Sequence, residues 1–155
     1  MGAAMTGPLT SSNDLDLAAV ENALRCHVHV LIVEIRERSV DKLSGHARAA
    51  RYIAKTLQSA GLRMWKEPYP YEKNTVANIL AETTVEKPLR RYVVGAHYDS
   101  LTGTVGADDN ASAVAVLLET ARWVQALHCA PMSQVTIQFA AFALEEPPAY
   151  GTRYT

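Results

Sequence analysis

Apolar residues recur along the first third of the chain with a helical beat. Val20, Leu24, Val28, Leu31 and Ile35 are separated by 4, 4, 3 and 4 residues, which lines up one face of an α-helix. The run HVHVLIV at 27–33 is rich in branched residues that would suit a strand, but it sits inside this pattern and reads as helix. On a helix His27 and His29 stand about 200° apart, a poor arrangement for a metal pair. A second helical face is predicted from Leu43, Ala47, Ala50, Ala54 and Leu57. Ser44 suits its N-cap, and Gly61 can take the left-handed conformation that closes a helix. His46 falls in the first turn of this helix and reads as a surface residue.

From Leu62 the period changes. LRMWKEPYPY and TVANILAET read as two strands joined by the polar turn EKN, and Pro68 and Pro70 push the first towards a sheet edge. RRYVVGAHY is a short strand, ASAVAVLLETARWVQALH a helix apolar on most sides, and QVTIQFAAFAL a strand apolar nearly throughout, as expected for a central position. The predicted order is α, α, β, β, β, α, β. The last β-α-β unit should cross over right-handed with its strands parallel. The whole is then a three-layer α/β sandwich around a mixed, partly parallel sheet. In such sheets ligands bind beyond the carboxyl ends of the parallel strands.

Bulk properties narrow the functional classes. A chain of 155 residues, 48% hydrophobic, is the size of one domain with a real core. A net charge of -1 gives no basic face for nucleic acid, and no apolar run is long enough to cross a bilayer. The opening MGAAMTGPLTSSN is small and polar, without the layout of a secretion signal, and residues 1–13 are expected to form a flexible tail. Cytoplasm is the default location on that basis. Cys26 and Cys129 lack C-x-x-C spacing. Buried free thiols are the expected reading, with a disulfide left open.

Three polar clusters fall at the predicted strand ends. GAHYDS carries His97 and Asp99, VGADDNAS carries Asp108 and Asp109 at the opening of a helix, and ALEEPP carries Glu145 and Glu146. Taken singly, each has an ordinary structural reading: a surface turn, a helix cap, a solvated loop. Converging on one rim, an imidazole and several carboxylates are the nitrogen and oxygen ligands of a zinc site. Asp99, two residues from His97 on an extended strand, can accept the other ring N–H and orient the imidazole. Adjacent glutamates suit separate roles, one binding metal and one accepting a proton from water.

VVGAHYDS, GADDNAS, LLETAR and FAAFALEEPP together resemble the zinc-dependent exopeptidases of metallopeptidase family twenty-eight, the di-zinc aminopeptidases. The resemblance runs from about Leu24 to the end, with tight motifs in its second half. It implies a zinc-exopeptidase, phosphorylase/hydrolase-like fold. It also implies two zinc ions, one held by His97 and one by Glu146, with Asp108 bridging both. Glu145 would be the general base and Asp99 would orient His97. A cis peptide is implied between Asp108 and Asp109. The implied substrates are peptides with a free N-terminus, although carboxypeptidase and glutaminyl-cyclase chemistry share the wider fold. Relatives in the family are often exported.

Two departures from the family pattern stand out. Ala113 replaces a usual glycine in NASAVA. Family members also supply a further Asp and a further His after the paired glutamates, which this sequence does not contain. Residues 14–155 are therefore expected to be the N-terminal portion of a single zinc-peptidase-like domain, truncated after the strand carrying the paired glutamates. The other reading is a catalytically inactive fragment or pseudo-enzyme acting as a binding or oligomerisation module. An unpaired strand edge, expected beside the strand ending at Leu144, would favour a homo-oligomer.

Overall fold

The computed structural model describes residues 16–85, 87–127 and 134–147. Helix α1, Leu17–His29, opens at Asp16, whose side chain accepts a hydrogen bond from the Ala19 N–H at 3.1 Å. It runs on into a π-helical turn, Val30–Ile35, so the predicted face is continuous. Leu31 and Ile35 are its buried end, while Val20, Leu24 and Val28 are half-buried. Cys26 is an exposed free thiol on the outward side of this helix, not a buried one. Cys129, the expected tail at 1–13 and Pro148 onwards lie outside the described residues.

Helix α2, Leu43–Ser59, follows a single 3-10 turn at Val40–Lys42. Ser44 lies inside the helix and caps nothing; the N-cap is Lys42, without a side-chain bond. The buried face is also rotated from the predicted one. It runs through Gly45, His46, Ala49, Ile53, Ala54 and Leu57, and Ala47 is exposed. The cause is the segment before the helix. A Cβ at residue 45 would overlap the Glu37 carbonyl oxygen, so only glycine lets the Ile35–Glu37 backbone close down there. After Gly61 (φ 84°) the chain turns into the sheet.

Strands β1 (Arg63–Tyr71) and β2 (Asn74–Glu82) form an antiparallel hairpin, with Tyr71 opposite Asn74 and Arg63 opposite Glu82. Strand β3 (Arg90–His97), helix α3 (Ala113–Leu127) and strand β4 (Val135–Phe142) complete the described elements. The strand order is β1-β2-β4-β3. Strand β4 is antiparallel to β2 and parallel to β3, so the sheet is mixed as predicted. Strand β1, with its two prolines, is at an edge. Helix α2 packs on β1 and β2, α3 on β3 and β4, and α1 on α3, giving an α/β sandwich. Leu31, Ile53, Leu57, Ile79, Val114, Leu117, Leu118 and Phe139 fill its core.

The predicted open edge is misplaced. Strand β4 inserts between β2 and β3 and is paired on both sides. Among the described residues the open edge with exposed apolar side chains is β3, at Tyr92, Val93 and Val94. No helix among the described residues is long and apolar enough to cross a membrane.

His46 is buried, contrary to the surface position expected for it. Its Nε2 donates to the Ala143 carbonyl at 2.8 Å, and its ring tilts against Tyr98 with centroids 4.7 Å apart. Burial lowers the His46 pKa below its ordinary 6.5, against the raising effects of the Ala143 carbonyl and the Asp99 charge. The unfolded chain therefore binds a proton at this residue before the folded chain does. Stability is full above about pH 6.5 and declines as pH falls below it. Urea midpoints at about pH 7.5 and about pH 5.5 should show a smaller acid loss in His46→Gln than in the wild type; an equal or larger loss in the variant removes His46 as the cause.

Candidate metal centre

The two parallel strands end level with each other. Ala96 pairs with Ala141 and His97 with Phe142, and the Tyr98 N–H continues the ladder to the Phe142 carbonyl at 2.8 Å. Alternation then sends Tyr98 away from His97 and Asp99. The Tyr98 ring is buried and its hydroxyl donates to the Ala77 carbonyl of β2 at 2.8 Å. His97 and Asp99 face the crevice beyond the strand ends, where the predicted clusters meet.

Asp99 is 1% exposed and uses both oxygens. One lies 3.2 Å from His97 Nδ1; the other accepts the backbone N–H groups of Glu145 at 2.9 Å and Glu146 at 3.0 Å. The same carboxylate thus orients the imidazole and pins the segment bearing the paired glutamates. Two further buried side chains hold the start of that segment. Asn78 Oδ1 accepts from the Ala143 N–H at 3.0 Å, and His46 donates to the Ala143 carbonyl.

The third cluster arrives by a short turn. After Gly106 (φ 51°) the chain forms an irregular π-helical turn, Ala107–Ser112, that leads into α3. Asp109 departs from helical geometry there, at φ -109° and ψ 94°. This carries its carboxylate to 3.0 Å from His97 Nε2. Ligand atoms of His97, Asp109 and Glu146 all lie within 4.8 Å of one another. Glu145 Oε2 is 3.8 Å from His97 Nε2.

Most of the predicted site residues meet here, with one shift of register. Asp108 was expected among them, but its carboxylate is not part of the converging group; its carbonyl accepts from the Ser112 hydroxyl at 2.7 Å inside the turn. Asp109, and not Asp108, is the aspartate of this turn whose carboxylate stands beside His97. The cis peptide is likewise Asp109–Asn110, not Asp108–Asp109. The residues that sequence reasoning missed are supporting ones. Asn78 has a signal, being a polar residue inside the apolar run VANILA. Arg38 has none, since EIRERS offers nothing to separate it from Arg36. His27 is taken up elsewhere, between the Tyr52 hydroxyl and Glu119.

The electrostatics call for a cation. His97 has acceptors against both ring nitrogens: Asp99 at Nδ1, and Asp109 with Glu145 at Nε2. A neutral imidazole can donate to only one side. With Nδ1–H given to Asp99, the Nε2 lone pair faces carboxylate oxygens, and either a proton or a metal ion must lie between. Burial lowers the His97 pKa, but the Asp99 hydrogen bond and the charges of Asp99, Glu145 and Asp109 outweigh it and raise the value overall. Glu146 is also raised, by burial first and then by Asp109, with His97 opposing. One nitrogen and two carboxylate oxygens at this spacing fit a borderline ion such as zinc. A groove of about 570 Å³ between α2 and the β1–β2 hairpin includes none of these ligands.

Comparisons with known proteins identify the family and the fold. Residues 74–155 match the model of Peptidase family M28. The chain is 38% identical over 132 residues to YfbL of Escherichia coli, an uncharacterized protein, covering 79% of this chain and 39% of that one. It is 42% identical over 96 residues to a probable zinc metalloprotease of Pyrenophora teres f. teres, covering 56% of this chain and 18% of the relative. Among solved structures, a zinc aminopeptidase from Bacillus subtilis superposes with a TM-score of 0.69 at 14% identity, over 81% of this chain and 61% of that one. A glutaminyl cyclase from Macrostomum lignano gives 0.69 at 24% identity, over 100% and 47%. These two structural likenesses concern the fold. The chain spans about two fifths or less of the length of the curated relatives it matches.

Exchanging Asp99 for asparagine tests the orienting contact. An Asn side chain keeps an acceptor for the Glu145 and Glu146 N–H groups but presents an NH₂ to His97 Nδ1. The ring should switch to the Nε2–H tautomer, visible in its ¹⁵N shifts, and zinc affinity should fall roughly 10- to 100-fold. An unchanged tautomer with unchanged affinity would mean that Asp99 does not orient this ring.

Proposed function

Because the chain belongs to peptidase family M28, we propose that it carries the metal-binding and proton-transfer part of a zinc-dependent amide-hydrolysing site. Zinc is the metal of the aminopeptidase whose fold it shares, and His97, Asp109 and Glu146 are the residues that would hold it in this chain. The observation that carries this reading is the imidazole with carboxylates against both nitrogens, an arrangement in which a metal ion at Nε2 can take the place of a proton. Asp109, whose carboxylate stands beside His97, would be a ligand common to both ions if the site took two. Peptides with a free N-terminus are the substrates.

When bound, zinc supplies Lewis-acid chemistry, polarising the scissile carbonyl and acidifying water. The protein's own residues do the rest. Asp99 holds the Nδ1 proton of His97 so that Nε2 stays a donor of electrons. Two backbone hydrogen bonds to Asp99 fix the direction from which Glu145 and Glu146 leave the chain. Glu145 is more than half exposed, beside the metal ligands rather than buried among them. From there its carboxylate can take a proton from the attacking water and return it to the departing amine.

In Glu145→Gln the zinc content should match the wild type while hydrolysis of aminoacyl-amide substrates falls by about 10²- to 10⁴-fold. Zinc-loaded wild type with no turnover on these substrates would count against the aminopeptidase reading, and equal turnover in wild type and variant would remove Glu145 as the base.

A second reading, association through the sheet edge, is favoured by the exposed Tyr92, Val93 and Val94 on β3. An open apolar edge strand is a template for pairing, and a second copy of the chain offers the same strand. Sedimentation should show a dimer or larger species at micromolar concentration, reduced by Val93→Lys. A monomer throughout that range would dismiss this reading.

A further inference from the structure

Arg38 is completely buried and touches no carboxylate among the described residues. Its guanidinium donates instead to five backbone carbonyls: Tyr98 at 2.8 Å, Leu31 at 3.2 Å, Arg36 at 3.1 Å, Val105 at 2.7 Å and Gly106 at 3.0 Å. Its backbone N–H donates to the Ser100 hydroxyl at 3.0 Å. These acceptors belong to three separate stretches. Leu31 and Arg36 are at the end of the first helical segment. Tyr98 and Ser100 flank Asp99 just past His97. Val105 and Gly106 form the corner from which the Asp109 turn begins.

The joint at that corner is tight. A Cβ at residue 106 would lie 2.8 Å from the Arg38 guanidinium and 2.7 Å from the Ser100 Cβ, and would overlap the Asp109 carbonyl oxygen. The Gly106 carbonyl also accepts the Ala111 N–H at 3.0 Å, closing the turn around Asp109. The guanidinium therefore lies between the stretch that carries His97 and Asp99 and the turn that carries Asp109. A planar fork can span such a ring of acceptors, with Leu31, Arg36 and Val105 sharing the two Nη1 hydrogens; an ammonium, with three donors and no plane, cannot. Burial lowers the Arg38 pKa to about 10, opposed by the charge of Asp99, so the side chain remains cationic at neutral pH.

We propose that Arg38 is a positioning residue for the metal centre, its guanidinium setting the spacing between His97 at the end of β3 and Asp109 in the turn before α3. The inference rests on the metal-centre reading above and extends it to a residue that faces no ligand atom. The role is geometric, so it depends on the fork and not only on the charge.

The test measures zinc affinity and the visible absorption spectrum of the cobalt(II)-substituted chain, for wild type and Arg38→Lys, alongside thermal stability. Ile53→Val, a core change away from the site, supplies a comparison for stability loss alone. Arg38→Lys should lower zinc affinity roughly 10- to 100-fold and alter the cobalt spectrum, while Ile53→Val should leave both unchanged. Should the lysine variant not fold, Ser100→Ala removes the hydroxyl that accepts the Arg38 N–H and donates to the Thr104 carbonyl at the same joint, and should lower zinc affinity about threefold. Wild-type affinity and spectrum in folded Arg38→Lys would overturn the proposal, as would wild-type affinity in Ser100→Ala when the lysine variant does not fold. So would an affinity loss in Ile53→Val that tracks its stability as the loss in Arg38→Lys does. A wild type that binds no zinc would instead remove the metal-centre reading, and this inference with it.

Discussion

A single buried carboxylate, that of Asp99, ties the ends of two parallel strands into one site. One oxygen meets the imidazole of His97, and the other gathers the N–H groups of Glu145 and Glu146. Removing a carboxylate from water costs several kcal/mol, and hydrogen bonds to the charged form are what offset such a cost. Here they come from groups that the proposed metal centre needs in place. Electrostatic compensation and site geometry are the same set of contacts. The level register of β3 and β4 makes this possible, because it brings residue 99 of one strand end within reach of residues 145 and 146 of the other.

The charges around Asp99 are arranged in depth. Towards solvent lie Asp109, Glu145 and Glu146, an excess of negative charge that favours a cation beside His97. Towards the core lies Arg38, whose positive charge acts on Asp99 without contact while its donors hold backbone carbonyls. A direct ion pair would take an Asp99 oxygen away from His97 or from the glutamate segment. Holding the cation at one remove leaves both oxygens free for positioning.

Much of the fold was legible in the sequence, and the gaps have specific causes. The hairpin, the edge position of β1 and the mixed sheet follow from period-two runs, prolines and the length of the β-α-β crossover. The outward edge was assigned to the wrong strand because spatial order is not chain order: β4 enters between β2 and β3. The face of α2 was misread because a histidine counts as polar in any pattern, whereas His46 finds the Ala143 carbonyl in the interior. The three metal-site clusters were legible as motifs. Which of two adjacent aspartates reaches His97 was not. Residue type is the same at 108 and 109, and only the backbone angles of the turn separate them. Arg38 was invisible for a related reason, since its partners are carbonyls that leave no trace in side-chain identity.

The supports of the glutamate segment come from far apart in the chain. Asn78 is on β2, His46 on α2, and Asp99 beyond β3. Asn78 reaches the segment from β2 and Asp99 from beyond β3, so the segment is held from both neighbours of β4. Sheet pairing and site geometry are then coupled, because the buried polar groups that find partners across β4 are the ones that hold the segment of Glu145 and Glu146. A metal ion bound by His97, Asp109 and Glu146 would draw on the ends of both parallel strands and on the turn before α3. Its binding energy would accordingly stabilise the closed sheet as well as the site. In this architecture the polar interior is therefore not an exception to the packing of the core. It is the means by which the core's closure is transmitted to the reacting groups.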